Sequence, residues 1–223
     1  MKSLKLAFIL FFIGFSLHSQ KSQSNSIANK NSYITASLWP IVDPYAPRMR
    51  FGYVQHITTH WKAGLDIGYG TKGLSSIFSY GNNTGVEYTL WEVRPEVYYI
   101  FNPEVKTLKY LSVELFYIDQ DHVFENDDYN SETNGKTSYD RADFTRQKYG
   151  MHFKFGLFLD MGKHLGFNFF GGIGFRFADK EYSNVINPQE DNIYNSWFAG
   201  PYEREGKVFG FNPSLGIKIY YKI

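Results

Sequence analysis

Every second residue from Phe209 to Ile223 is apolar: Phe209, Phe211, Pro213, Leu215, Ile217, Ile219, Tyr221 and Ile223. Between them stand Gly210, Asn212, Ser214, Gly216, Lys218, Tyr220 and Lys222. Period-two alternation of this length specifies a β-strand with one greasy and one wet face. An apolar face opposite glycine and polar residues, carried to the last residue, points to the closing strand of a membrane β-barrel.

The same alternation recurs upstream. Leu165, Phe167, Phe169, Ile173, Phe175 and Phe177 share one face of a strand, with Gly166, Asn168, Gly172, Gly174 and Arg176 opposite. Tyr149–Leu159, Leu111–Tyr117, Trp91–Phe101, Trp61–Tyr69, Met49–Tyr53 and a weaker Ile34–Leu38 repeat the pattern. The sum is an all-β chain of eight strands, most of them near the 9–11 residues that a tilted strand needs to cross a bilayer. The links alternate in length. His56–His60, Asn102–Leu108 and Asp160–His164 are short; Gly70–Tyr88, Asp119–Gln147 and Ala178–Lys207 are long and polar, and Pro40–Pro47 is intermediate. An antiparallel up-and-down transmembrane barrel with short periplasmic turns and long extracellular loops has this asymmetry, and it sets both strand termini on the short-turn side. A soluble barrel needs the reverse polarity, because the apolar face would otherwise form a patch far larger than a soluble monomer tolerates. Pro95 and Pro213 interrupt the outward phase and predict bulges or positions near an interface.

Composition agrees. Aromatics make up 19% of 223 residues and the net charge is +1, so no global field favours nucleic acid. The chain has no cysteine, which excludes disulfides, thiolate metal sites and a lipidated N-terminal cysteine. Lys2 and Lys5 precede an apolar run from Leu6 to Leu17, too short to span a bilayer as a helix. Residues 1–19 therefore read as a signal peptide cleaved near Ser19, residues 20–30 as a polar flexible lead-in, and residues 31–223 as the barrel.

These features resemble the small outer-membrane β-barrel proteins of Bacteroidota, the outer membrane protein beta-barrel or porin-like group, and are similar in plan to OmpA/OmpX-type eight-stranded barrels. The residues that carry the resemblance are the leader ending before Gln20, Val42-Asp43-Pro44 followed by Met49–Tyr53, the Val93–Glu96 strand and the Gly216–Ile223 ending. Val54 and the terminal Ile223 depart from the group's habit. The resemblance implies an outer-membrane location, lipid and lipopolysaccharide as surroundings, and assembly by the barrel-insertion machinery. It does not fix one activity.

The inward phase carries a set of charges: Lys62, Asp66, Glu92, Arg94, Glu96, Glu114, His152, Lys154, Arg176 and Lys218. An eight-stranded barrel is just wide enough inside for side chains to fill it, so these groups are expected to pair across the lumen and close it. The alternative is a narrow porin-like path for ions or small solutes. On the outward phase Tyr69, Trp91, Tyr149 and Phe177 mark the outer interface, and Trp61, Tyr99, Phe101, Leu165 and Tyr221 the periplasmic one. A hydrolytic or acyl-transfer site needs a nucleophile, a base and an orienting carboxylate together. His56, His60 and His164 lie on the short-turn rim, His152 points inward, and His122 reads as a lone histidine in a solvated loop, so no catalytic residue is expected. The acidic Asp119–Glu132 stretch lacks the register of a calcium loop, and no metal or cofactor is expected. The expectation is a monomeric, non-enzymatic barrel with a structural, adhesive or surface-contact role.

Overall fold

Backbone polar groups in a strand must find partners on both sides, and a sheet satisfies all of them only by closing on itself. The computed structural model describes residues 30–78, 85–131, 135–191, 202 and 204–223, and in it the sheet closes. The leader assigned to residues 1–19 lies outside the described residues, as does all of the lead-in but Lys30.

The strands are β1 (Tyr33–Ser37), β2 (Met49–His56), β3 (Trp61–Thr71), β4 (Glu87–Ile100), β5 (Leu108–Ser131), β6 (Gly135–Asp160), β7 (Leu165–Ile186), β8 (Gln189–Asp191), β9 (Gly206–Phe211) and β10 (Ser214–Lys222). A short helix, α1 (Lys72–Phe78), follows β3. β9 and β10 are one stave interrupted at Asn212 and Pro213, with unbroken register against β7 on both sides. Neighbouring strands pair antiparallel in chain order from β1 to β7, and the β9–β10 stave closes the ring by pairing with both β7 and β1. The fold is an eight-stranded antiparallel up-and-down barrel; β8 adds only three residues to the edge of β6.

The stagger follows from the register. From Ser37 the pairs run to Arg50, Gly68, Glu92, Ile118, Lys148, Ala178 and Val208, whereas Ser37 itself pairs with Lys218, ten residues further along the last stave. A shear of ten over eight strands requires steeply tilted strands, within the usual range of about 35–45°.

The start of β1, the end of β10 and the short turns share the lower rim, where Ser32 and Ile223 exchange backbone hydrogen bonds at 3.3 and 3.0 Å. The 38–47 link, α1 and the hairpin tip are at the upper rim. The expected long loop Asp119–Gln147 is mostly strand among its described residues, and the one expected from Ala178 begins as strand. β5 and β6 run on as a paired hairpin to Ser131 and Gly135, and β7 follows β6 as far as Ile186. The sequence of this extension is polar on its outer face, which hid the alternation. Its inner face is apolar: Phe124, Tyr129, Tyr139, Ala142, Phe144 and Tyr182 pack together with Tyr202 from the link before β9. The β6–β7 register slips by one residue between Arg141 and Asp143, next to Asn184 at φ 51°, a left-handed conformation that asparagine tolerates. Asn184 Nδ2 donates to Asp143 Oδ2 at 2.7 Å across that bulge.

The wall faces outward as the alternation predicts. Large apolar side chains such as Phe51, Ile67, Leu115, Phe155 and Ile173 are exposed there. Pro95 and Pro213 make no bulge: the register is continuous around both, and the ladder simply lacks Pro95 pairs to β5.

Lumen volume is shared out between neighbouring staves. A Cβ on Gly52 would stand 1.9 Å from Asp66 Oδ1 and 2.7 Å from Thr35 Oγ1, whereas one on the equally inward Gly210 would meet nothing nearer than Arg176 Nε at 3.8 Å. Gly52→Val is therefore expected to abolish the folded, heat-modifiable band in SDS electrophoresis, and Gly210→Val to retain it. Equal behaviour of the two variants would contradict the register.

Candidate functional site: a closed lumen with a charged core

Three layers fill the lumen from bottom to top. The lowest is apolar. Tyr33, Val54, Tyr98, Ile100, Leu108, Tyr110, Phe158 and Tyr220 form one cluster, none of them more than 1% exposed. Phe158 stands at its centre, with ring centroids 5.0 Å from both Tyr33 and Tyr110 and 5.6 Å from Tyr220. The sequence had pointed to a lumen of glycines, charges and amides. Aromatics also fit in this closed interior wherever a glycine on the next stave makes room, as Gly156 does for Tyr110 and Gly166 for Tyr220.

Above this plug runs a continuous chain of ion pairs. Lys218 Nζ lies 2.6 Å from Asp66 and 3.7 Å from Glu96; Lys154 Nζ lies 2.8 Å from both Glu96 and Glu114. Glu114 also meets His152 at 3.0 Å and Arg94 at 2.8 Å, and Arg94 reaches Glu92 at 3.0 Å. Glu92 in turn holds Arg50 and, at 3.0 Å, Arg48, which reaches Asp43 at 3.2 Å. Tyr98 and Ser112 donate hydroxyl hydrogens to Glu96 at 2.7 and 2.6 Å, and the Phe170 ring lies 4.5 Å from Lys154 Nζ. These charges are withdrawn from solvent, so their mutual pairing and the added hydrogen bonds must offset a large desolvation cost.

Of the ten inward charges read from the sequence, Asp66, Glu92, Arg94, Glu96, Glu114, His152, Lys154 and Lys218 belong to this chain. Lys62 sits lower, donating to the Asn31 carbonyl at 2.7 Å beside the Tyr33 ring. Arg176 faces inward on β7 but, among the described residues, makes no ion pair. Arg48 and Arg50 were missed, although they share the inward phase of β2 with Gly52. Asp43 was not readable, because it comes from the folded link after Trp39–Val42, where its carboxylate accepts from the Tyr45 and Ala46 amides at 3.0 and 3.1 Å.

The upper layer caps the lumen. Tyr88, Leu90, Phe116 and Ile118 pack beneath Ala46. Tyr88 donates to the Pro47 carbonyl at 3.0 Å, Tyr202 to the Tyr45 carbonyl, and Gln120 Nε2 to the Tyr202 hydroxyl at 2.9 Å. His122 is part of this cap. It is buried, 4.9 Å from the Tyr202 ring and 5.0 Å from Tyr88, and it contacts Gln120. Its reading as a solvated loop histidine is overturned because β5 keeps its inward phase beyond Asp119. In the extension above, burial pushes the Tyr182 phenol well above its ordinary value, so it stays protonated and donates to the Tyr202 carbonyl at 2.7 Å.

Outside, the aromatics fall into two rings. Tyr69 pairs with Trp91, Trp91 lies 5.1 Å from Tyr117, Tyr117 pairs with Tyr149, Tyr149 with Phe177 and Phe177 with Phe209. At the lower rim Trp61 pairs with Tyr99, Tyr99 packs 5.7 Å from Phe101, and Tyr221 pairs with Leu165. Each ring is eight residues from the other along β3 and β4, about 20 Å at the strand rise and tilt of such a barrel.

No protein-family profile matches the chain, and no match was found to a curated protein or to a solved structure.

Removing one member of the ion-pair chain strands its partners. Glu114→Ala, which leaves Arg94, His152 and Lys154 short of a carboxylate, is expected to lower unfolding free energy by about 3–5 kcal/mol. The paired change Asp66→Leu with Lys218→Met is expected to cost less than Asp66→Leu alone. Urea titrations of the refolded variants, followed by tryptophan fluorescence, measure both.

Proposed function

We propose that this chain is an integral outer-membrane β-barrel of a double-membraned bacterial cell, a monomer with a closed lumen that works through what it displays above the wall. The observation that carries this reading is the outer surface. Between aromatic rings about 20 Å apart, the wall presents Phe, Leu, Ile and Val around the ring, an exposed apolar surface that water would not tolerate and lipid would. The apolar band of such barrels is about 25 Å tall and flanked by aromatic girdles. The N-terminal leader read from the sequence, the short lower turns and the long upper connections supply the orientation, with the lower rim periplasmic.

Above the wall, β5, β6 and β7 continue as a curled stem that rises about 30 Å past the upper ring. Its rigid aromatic interior makes it a platform for contact with lipopolysaccharide, neighbouring surfaces or a partner, in a structural or adhesive capacity without catalysis. The alternative, a narrow porin-like path for ions or small solutes, has to pass both the tyrosine-rich plug and the Tyr45–Tyr202 cap, which weigh against it.

Two measurements test the placement. Val113 lies midway between the rings and faces outward. Val113→Arg is expected to lower stability in lipid vesicles by about 2–4 kcal/mol; an unchanged or improved protein that stays soluble without detergent would sink the membrane reading. Because the chain lacks cysteine, single cysteines report topology cleanly. A membrane-impermeant maleimide should label Asp127→Cys on intact cells and leave Lys163→Cys unlabelled, and the opposite pattern would invert the barrel.

A further inference from the structure

The seam of the barrel is bonded only in its lower half. β1 pairs with β10 from Tyr33↔Lys222 to Ser37↔Lys218, and one further bond runs from the Leu38 amide to the Ile217 carbonyl at 3.2 Å. Beyond that point the chain leaves the wall as the Trp39–Val42 turn, so the last stave from Gly206 to Gly216 has no strand on that side among the described residues. Backbone direction alternates along this stave. Asn212 donates to Gly174 on β7, and Ile217 accepts from Leu38 on the other side, which places position 213 toward the open edge. Pro213, having no amide hydrogen, costs nothing there, as at any sheet edge.

Behind the gap lies a cavity of about 470 Å³, within the usual range for ligand sites. Its mouth is apolar, formed by Trp39, Pro40, Pro213 and Leu215. Its interior is mainly cationic, with Arg48, Arg50, Arg94 and Lys148 in the lining against the carboxylates of Asp43 and Glu114. Arg50 and Arg94 are already neutralised by Glu92 and Glu114. Lys148 instead has Arg146, Arg176, Arg94 and Arg48 as its electrostatic neighbours, and none of Lys148, Arg146 and Arg176 makes an ion pair among the described residues. Of the three only Lys148 lines the cavity; Arg146 donates to Gln120 and has Asp43 among its electrostatic neighbours, so the cationic surplus centres on Lys148 and Arg176. Ser37, only 4% exposed, lines the same cavity with a hydroxyl that has no hydrogen-bond partner. The plug and the cap close the lumen along its axis, so the way in is sideways, through the wall.

We infer that this lateral opening binds a single-chain anionic amphiphile, its carboxylate or phosphate head on Lys148, with the charges of Arg146 and Arg176 behind it, and its alkyl chain leaving between Pro40 and Pro213. The inference rests on the membrane reading for where the chain goes, since lipid lies outside that mouth. An anion would offset the surplus charge, and the apolar lips would cover the tail.

The test uses the refolded barrel in a maltoside detergent, its folding verified by heat-modifiable migration. Palmitate and dodecyl phosphate are titrated by calorimetry, against hexadecanol and inorganic phosphate as tail and head alone. One or both amphiphiles should bind saturably at one per barrel, at least tenfold more tightly than either control, and which of the two binds tells a fatty acid from a lipid phosphate. The Lys148→Gln, Arg176→Gln double variant should lose at least tenfold in affinity while resisting urea as well as the parent, because it removes unpaired like charges. Arg146→Gln should weaken binding in the same direction. Equal binding of hexadecanol, equal binding of inorganic phosphate, or undiminished affinity in both variants would overturn the proposal. The titration needs no bilayer, so its failure is distinct from a failure of the Val113→Arg experiment.

Discussion

Five residue pairs hold the barrel shut. The ladder between Tyr33–Ser37 and Lys218–Lys222 is no longer than the five-pair ladder on the other side of β1, and without it every other strand belongs to an open sheet with two bare edges. Closure at this seam fixes the shear, and the shear fixes which side chains meet inside. Asp66 and Lys218 are far apart in the chain and lie within 2.6 Å only because β10 returns to β1 with that offset. The electrostatic core is therefore a product of closure, and its stability depends on the seam more than on any local motif.

The interior then follows from the competition between burial and charge. Carboxylates on β3, β4 and β5 are matched by lysine and arginine on β2, β4, β6 and β10, so that each desolvated charge in the middle layer has an opposite neighbour. Below, tyrosines and Phe158 exclude water from those pairs and strengthen them. On the β6–β7 side the matching is incomplete: Arg146, Lys148 and Arg176 make no ion pair among the described residues, next to the unbonded half of the seam. The charge surplus and the gap in the wall coincide, which gives the site its lopsided character.

Much of this was legible in the alternation. Strand positions, the outward face of the wall and the two aromatic rings all follow from period two, because outward-facing and lumen-facing residues must separate cleanly along each stave. Two kinds of feature were not. The stem of β5 and β6 looked like loop, since Asp127, Asp128 and Asn130 carry polar side chains on a surface wetted from outside, and only Phe124, Tyr129 and Tyr139 hint at its packed interior. The plug was also hidden: Tyr33, Tyr98 and Tyr220 sit in the inward phase, but their meeting around Phe158 depends on register between strands, which no single strand discloses. Arg48 and Arg50 could have been found by extending the inward phase of Gly52 one turn of the pleat further.

The pairing of glycines with bulky neighbours has a consequence for how such a chain can change over generations. On the outer wall one apolar residue replaces another more freely, since no facing stave packs against it. Inside, the space above Gly156 belongs to Tyr110 and the space above Gly52 to Asp66. An enlargement on one stave survives only with a reduction on the next, so the interior drifts by coupled exchanges and slowly, while the exterior drifts by single steps. Descendants of this barrel would keep its inside in matched pairs long after their outer surfaces had ceased to resemble one another.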